Sequence, residues 1–191
     1  MRQYALTSAQ APDERAGRGL VTDLIGSLAL PGFAGDMLER LRHALPATSL
    51  SVYRVGPRCE PTRFMAASTQ SRDTTADCWR AYLTGPHRRD PTLMHRGNLP
   101  HRVPMIRHVR APELPAEHRL KVYDAFGMEE RVSVLQREAD DSIFAVNFYR
   151  HQGSRPFDDA QLQAFDRVAP VVLALTQKHV SLSRCTAMPA A

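Results

Sequence analysis

The sequence predicts an α+β domain in which helices pack on a five-stranded, mainly antiparallel sheet, and three observations carry that reading. Apolar residues recur at helical spacing near both ends, as Leu20, Val21, Leu24, Ile25 and Leu28, and again as Leu162, Phe165, Val168, Val172 and Leu175. Between them lie five short runs rich in β-branched and aromatic residues. The order is two helices, two strands, a helix, an irregular basic stretch, a strand, a helix, two strands and a long helix. That order describes a layered domain with the terminal helices on one sheet face and the middle helix and irregular segment left to cover the other.

Each element has its own signals. The first helical run stops at Pro31, and a second, Phe33 to Leu45, places Phe33, Met37, Leu38, Leu41 and Leu45 on one side before Pro46. "SLSVYRVG" and "TRFMAAST" read as a hairpin across Gly56, Pro57 and Pro61. In "DTTADCWRAYL", Asp73 or Thr74 can cap a helix whose face is Cys78, Trp79, Tyr82 and Leu83. "VPMIRHV" is one strand after a proline-punctuated segment. Pro115 can open a helix through "AEHRLKVYDAF", with Leu120, Tyr123 and Phe126 near one another, and Gly127 can close it in the left-handed conformation. "RVSVLQ" and "IFAVNFYR" follow as a hairpin through "READDS". Asp158 and Gln161 have capping-box spacing, and Phe157 and Leu162 that of a hydrophobic staple, so a long helix starts there. Pro170 is expected to kink it. Residues 1–19 read as a flexible tail, 20–183 as the domain, and 184–191 as a tail or the start of a linker.

Composition narrows the classes. The chain has 191 residues, 43% hydrophobic and 24% charged, which is enough for a core without metal or disulfide staples. No apolar run approaches the roughly 18 residues of a membrane span, and no signal-peptide layout opens the chain, so a cytoplasmic protein is expected. Cys59, Cys78 and Cys185 are an odd number at wide spacings, which fits reduced thiols. The net charge is +5, with 23 arginines against two lysines. Six of those arginines (Arg88, Arg89, Arg96, Arg102, Arg107, Arg110) and four histidines (His87, His95, His101, His108) lie in one segment around a single acid, Asp90. The histidines have no ligand-pair spacing, so a solvated basic loop is expected in place of a metal site. The sharper alternative is a surface for anions or an acidic partner. No nucleophile elbow, phosphate loop or dinucleotide fingerprint occurs, and no catalytic residue or cofactor is expected. Asn147 inside an otherwise apolar strand needs a partner, either a neighbouring backbone group or a ligand.

The stretches "WRAYLTGPHRRDP", "VYDAFGMEERVSVL" and "FDDAQLQAFDRVAPVVLAL" resemble a GAF-like domain, and more closely the N-terminal, autoinducer-binding sensor half of LuxR-type transcriptional regulators. The resemblance covers about Leu20 to Ser183 and implies a GAF/PAS-like α/β/α sandwich. It implies a small-molecule ligand, such as an acyl-homoserine lactone, held between the sheet and its covering helices by Trp79, Tyr82 and Asp90, as in quorum sensing. It also implies a homodimer and transcription regulation, with DNA contacted only through a helix-turn-helix domain absent from this chain. The chain differs from those members at Glu130 and Arg131, which are charged where they carry a glycine and an apolar or small residue. A ligand-sensing, non-catalytic regulator domain is therefore the expectation. A protein-interaction module with a self-filled pocket is the alternative.

Overall fold

The computed structural model of the chain describes residues 2–5, 14–91, 97 and 99–186. The helical stripes become α1 (Glu14–Gly26), α2 (Phe33–Leu41), α3 (Thr75–Leu83) and α5 (Asp159–Thr186). Segment α4 is composite, with one α turn at Ala116–His118, a π turn at Arg119–Tyr123 and a 3-10 turn at Asp124–Phe126. The strands are β1 (Arg2–Ala5), β2 (Ser49–Gly56), β3 (Cys59–Ser68), β4 (Met105–Arg110), β5 (Met128–Arg137) and β6 (Ile143–His151). They form one antiparallel sheet in the order β1-β4-β5-β6-β2-β3. Among the described residues no helix is long and apolar enough to cross a membrane.

All five expected strands are present, and the stretch read as a tail adds a sixth. Arg2–Ala5 pair with Met105–His108 of β4. An outer strand carries a row of unpaired backbone donors and acceptors, and this short segment satisfies them. The same stretch already enters α1 at Glu14.

Local chemistry sets the boundaries as the sequence indicates. The Thr75 amide donates to Asp73 Oδ1 (2.8 Å), an Asx turn that satisfies the first amide of α3, while the N-cap position falls on Thr74. The capping box at α5 is complete, with Asp158 N donating to Gln161 Oε1 (3.1 Å) and Gln161 N to Asp158 Oδ1 (2.8 Å). Its staple residues Phe157 and Leu162 are both buried in the core. The helix runs on through Pro170. Gly127 has φ 66° and ψ 21°, the left-handed geometry that closes α4.

The period of two in the strands gives the sheet two different faces. On one, Leu50, Val52, Val132, Val134, Val146 and Phe148 pack against Phe33, Met37 and Leu41 of α2 and Phe165 and Val172 of α5. Each such buried side chain is worth about 1.5–3 kcal/mol. The other face carries Ser51, Tyr53, Arg107, Arg131, Ser133, Asn147 and Tyr149, and it is covered by α3 and α4. A β-bulge between Met128 and Glu130 lets Met128 and Arg131 share this second face, while Glu130 turns to the first.

α4 departs from the helix expected there. In a regular helix Leu120 would sit with Tyr123, but Leu120 is 58% exposed while Tyr123 is fully buried. The Asp124 amide bonds to the Arg119 carbonyl, five residues back, and the extra residue in that turn rotates Leu120 outward.

Candidate functional site

Strand register lays out the floor of the site. Arg107 pairs with Ser133, Ser133 with Asn147 and Asn147 with Ser51, making one polar row across four strands. The next row is Arg131, Tyr149 and Ser49. In the first row Ser133 Oγ donates to Asn147 Oδ1 (2.8 Å), and Asn147 Nδ2 donates to the Ser51 carbonyl (3.1 Å). Tyr53 Oη also donates to Asn147 Oδ1 (3.4 Å). Asn147 is therefore bonded within the sheet and sits behind the cavity wall.

The roof comes from helix periodicity. Cys78, Trp79 and Tyr82 project from one face of α3, and His118, Val122 and Tyr123 from α4. Floor and roof enclose a cavity of about 40 Å³ as seen by the centre of a water molecule. Counting the mouth that opens to solvent, the non-atom space reaches about 560 Å³. Five tyrosine and tryptophan rings lie in its wall. The Trp79 ring lies 5.5 Å from Tyr53 and 5.6 Å from Tyr82, His118 lies 5.5 Å from both Tyr82 and Tyr123, and Tyr149 also lines the cavity.

Of the residues singled out by the resemblance, Trp79 and Tyr82 line the cavity, while Asp90 lies behind Tyr82 at the end of the 3-10 turn Pro86–Arg89. Asp90 is 0% exposed and accepts from Tyr82 Oη (3.0 Å). It also accepts a two-pronged pair from Arg131, Nη1 to Oδ2 (3.1 Å) and Nη2 to Oδ1 (3.2 Å). Arg131 is 1% exposed, and its Nη1 also donates to Tyr53 Oη (3.4 Å). Burial pulls the Arg131 guanidinium down, but Asp90 and the surrounding tyrosines outweigh it and hold its pKa well above the ordinary value. Arg107, also fully buried, is drawn down to about 10 by burial and by Arg131. It donates to the Pro91 carbonyl (2.6 Å). Arg107 is thus part of the interior, not of a solvated basic loop, because its β4 position alternates onto the covered face.

Burial pushes the Tyr53 hydroxyl up to about 12 and those of Tyr82, Tyr123 and Tyr149 upward as well, so all four stay neutral donors. Burial lowers His118 to about 4 against the pull of Asp90, which leaves its imidazole neutral. Two atoms of cavity-lining residues, His118 Nδ1 and Tyr123 Oη, are buried and have no hydrogen-bond partner among the described residues. Each such atom costs on the order of 1–3 kcal/mol.

Glu130 organises the opposite face. It is 1% exposed and accepts from His108 Nε2, from Arg150 Nε (2.7 Å) and from the Phe157 amide (3.1 Å). Burial would raise its carboxyl, but these bonds prevail and hold it at about 2. The network ties β4, β5 and β6 to the entry of α5.

The described histidines of the basic segment do not converge. His87 Nδ1 lies 3.2 Å from the Tyr82 carbonyl, His101 Nδ1 lies 3.1 Å from the Glu138 carbonyl, and His108 faces Glu130. His95 and Arg96 lie outside the described residues. No group of three or more His, Cys, Asp or Glu placed to hold a metal ion occurs among the described residues.

No family model matches the chain. No curated protein matches it. Solved structures do share its fold. The VqsR LBD domain from Pseudomonas aeruginosa matches with a TM-score of 0.63 at 17% identity, over 87% of this chain and 96% of that one. The N-acylhomoserine lactone dependent LuxR family transcription factor CepR2 from Burkholderia cenocepacia matches with a TM-score of 0.60 at 13% identity, over 88% and 98%. A phycoerythrobilin-bound GAF domain from a cyanobacterial phytochrome matches with a TM-score of 0.56 at 13% identity, over 92% and 100%. The fold is therefore GAF-like, in the layout shared with LuxR-family ligand-binding domains.

Proposed function

We propose that this chain is the small-ligand-sensing domain of a LuxR-type transcriptional regulator, non-catalytic, taking an amphipathic molecule between the sheet and α3/α4. The observation that carries this reading is the aromatic-walled cavity at Trp79 and Tyr82, on the same sheet face as the buried Asp90 cluster. Such a pocket, apolar with a few buried polar groups, suits a ligand with a small polar head and an apolar body. Burial pushes the Cys78 thiol up to about 12, which favours a binding role over nucleophilic chemistry. The unpaired cysteines fit a cytoplasmic setting. Exposed Ile25 and Leu30 beside α2 support homodimerisation through the terminal helices.

Trp79 is the only tryptophan in the chain, so its emission reports on the cavity directly. In a titration with acyl-homoserine lactones and other amphiphiles, one class changes Trp79 emission and raises the melting temperature, and Trp79→Phe weakens that stabilisation. No response to any class would sink the reading.

A second reading rests on Arg131. Its guanidinium already bonds both oxygens of Asp90, beside the Tyr82 hydroxyl, so that carboxylate is largely satisfied without a ligand amide. This favours a pocket filled by its own side chains, in a module that acts through protein contacts. A pull-down that retains a partner equally well in ligand-treated and untreated protein would support it.

A further inference from the structure

We propose that the π turn of α4 is a ligand-reading device, in which His118 Nδ1 and Tyr123 Oη together bind the hydroxyl of a small, uncharged phenol or aromatic alcohol. The inference rests on the cavity being a ligand site and names the chemistry that it reads.

Backbone geometry comes first. In a regular helix, side chains five residues apart point about 140° away from each other. The π turn closes on the Asp124 amide and the Arg119 carbonyl, and the wider turn brings positions 118 and 123 onto one side. Their rings meet edge to face with centroids 5.5 Å apart, and both line the cavity. The turn thus sends Leu120 to solvent and gathers two polar side chains over the sheet.

Those two side chains hold two buried polar atoms that lack a partner among the described residues. His118 is 1% and Tyr123 0% exposed, and neither Nδ1 nor Oη has a partner among the described residues. Of the other polar side chains on this face, Asp90 is engaged by Arg131 and Tyr82, and Asn147 by Ser133 and Ser51. The His118 ring is neutral, so its Nδ1 either donates or accepts according to tautomer, and Tyr123 Oη does both. A hydroxyl also donates and accepts, so it satisfies both atoms whichever tautomer is present. A charged head would enter a wall whose carboxylate and nearest guanidinium are already matched to each other. The aromatic rings in the wall favour a flat aromatic body.

The test titrates the full chain with 4-ethylphenol and with ethylbenzene, reading Trp79 emission. Wild type is expected to bind the phenol about tenfold more tightly than the hydrocarbon. Tyr123→Phe and His118→Phe should each bring the two affinities close to equal and leave ethylbenzene binding within about twofold of wild type. Tyr123→Phe should also melt at or above the wild-type temperature, because the hydroxyl that it removes has no partner among the described residues. Equal affinity of wild type for the two probes, or a phenol preference that survives in both variants, overturns the inference and leaves the cavity as a ligand site. If neither probe nor any amphiphile perturbs Trp79, both readings fail together.

Discussion

The pair formed by Asp90 and Arg131 gives the sharpest energetic test of the interior. Both side chains are essentially without solvent contact, and their two hydrogen bonds measure 3.1 and 3.2 Å. Arg131→Met removes the countercharge and leaves the Asp90 carboxylate with the Tyr82 hydroxyl as its remaining side-chain donor among those described above. Asp90→Asn leaves a buried guanidinium facing a neutral amide. Removing one member of a buried pair costs about 3–5 kcal/mol, because the remaining charge is not resolvated. Removing both costs far less than the two losses added together, since an apolar and a neutral polar group fill the same volume without a stranded charge. Against a total stability of about 5–15 kcal/mol, either single change is a large fraction. The assay is urea unfolding at neutral pH, followed by circular dichroism so that it does not depend on Trp79. Each single variant should lose about 3 kcal/mol or more, and the double variant should recover at least about 2 kcal/mol of the summed loss. Single losses that add within about 0.5 kcal/mol would refute the reasoning, because they would show that the two groups do not depend on each other.

Other outcomes follow from the same geometry. Glu130→Gln weakens the charge-assisted bonds to His108 and Arg150 and should cost about 3 kcal/mol in the same unfolding assay, with little effect on Trp79 emission because the residue is on the far face. Acid should destabilise the protein in two stages. His118 is depressed from 6.5 to about 4, so its contribution is full above 6.5 and is lost as pH falls toward about 4. That gap corresponds to ~3 kcal/mol at most. Glu130, depressed from 4.5 to about 2, supports the fold above 4.5 and loses its contribution as pH falls toward 2. A melting temperature that is flat between pH 6.5 and 4 in wild type, or a slope unchanged in His118→Phe, would contradict the first stage. Gly127→Ala puts a Cβ into the left-handed region at φ 66° and should cost about 1 kcal/mol, and a β-branched valine there should cost more. Thermal denaturation of the two variants checks that order.

Much of the architecture was legible because its signals are local. The Asp158–Gln161 box, the Phe157–Leu162 staple, the glycine at 127 and the alternation in "RVSVLQ" are each written within a few residues, and each appears where expected. The π turn left no such mark. Nothing in "RLKVY" forbids an ordinary helix, and the wider turn is chosen where burying His118 and Tyr123 against the sheet outweighs the poorer backbone geometry. β1 was missed for a related reason, since "RQYA" gains its hydrogen bonds only from an edge provided by β4, more than a hundred residues away.

The cavity divides in the same way. Trp79 and Tyr82 could be read from helical spacing and family resemblance, and they do line it. Arg131 drew notice only as a charge out of place, and its partnership with Asp90 spans 41 positions of sequence. Glu130 and Arg131 are adjacent in the chain yet serve opposite faces, one anchoring α5 and the other closing on Asp90. By itself the sequence determined the α+β class, the order of the elements from α1 to α5 and the start of α5, because capping, periodicity and turn chemistry act over a few residues. Only the tertiary structure decided which charges are buried together and which polar atoms remain unmatched. Those outcomes depend on strand register and on a desolvated interior that brings distant residues into one low-dielectric space.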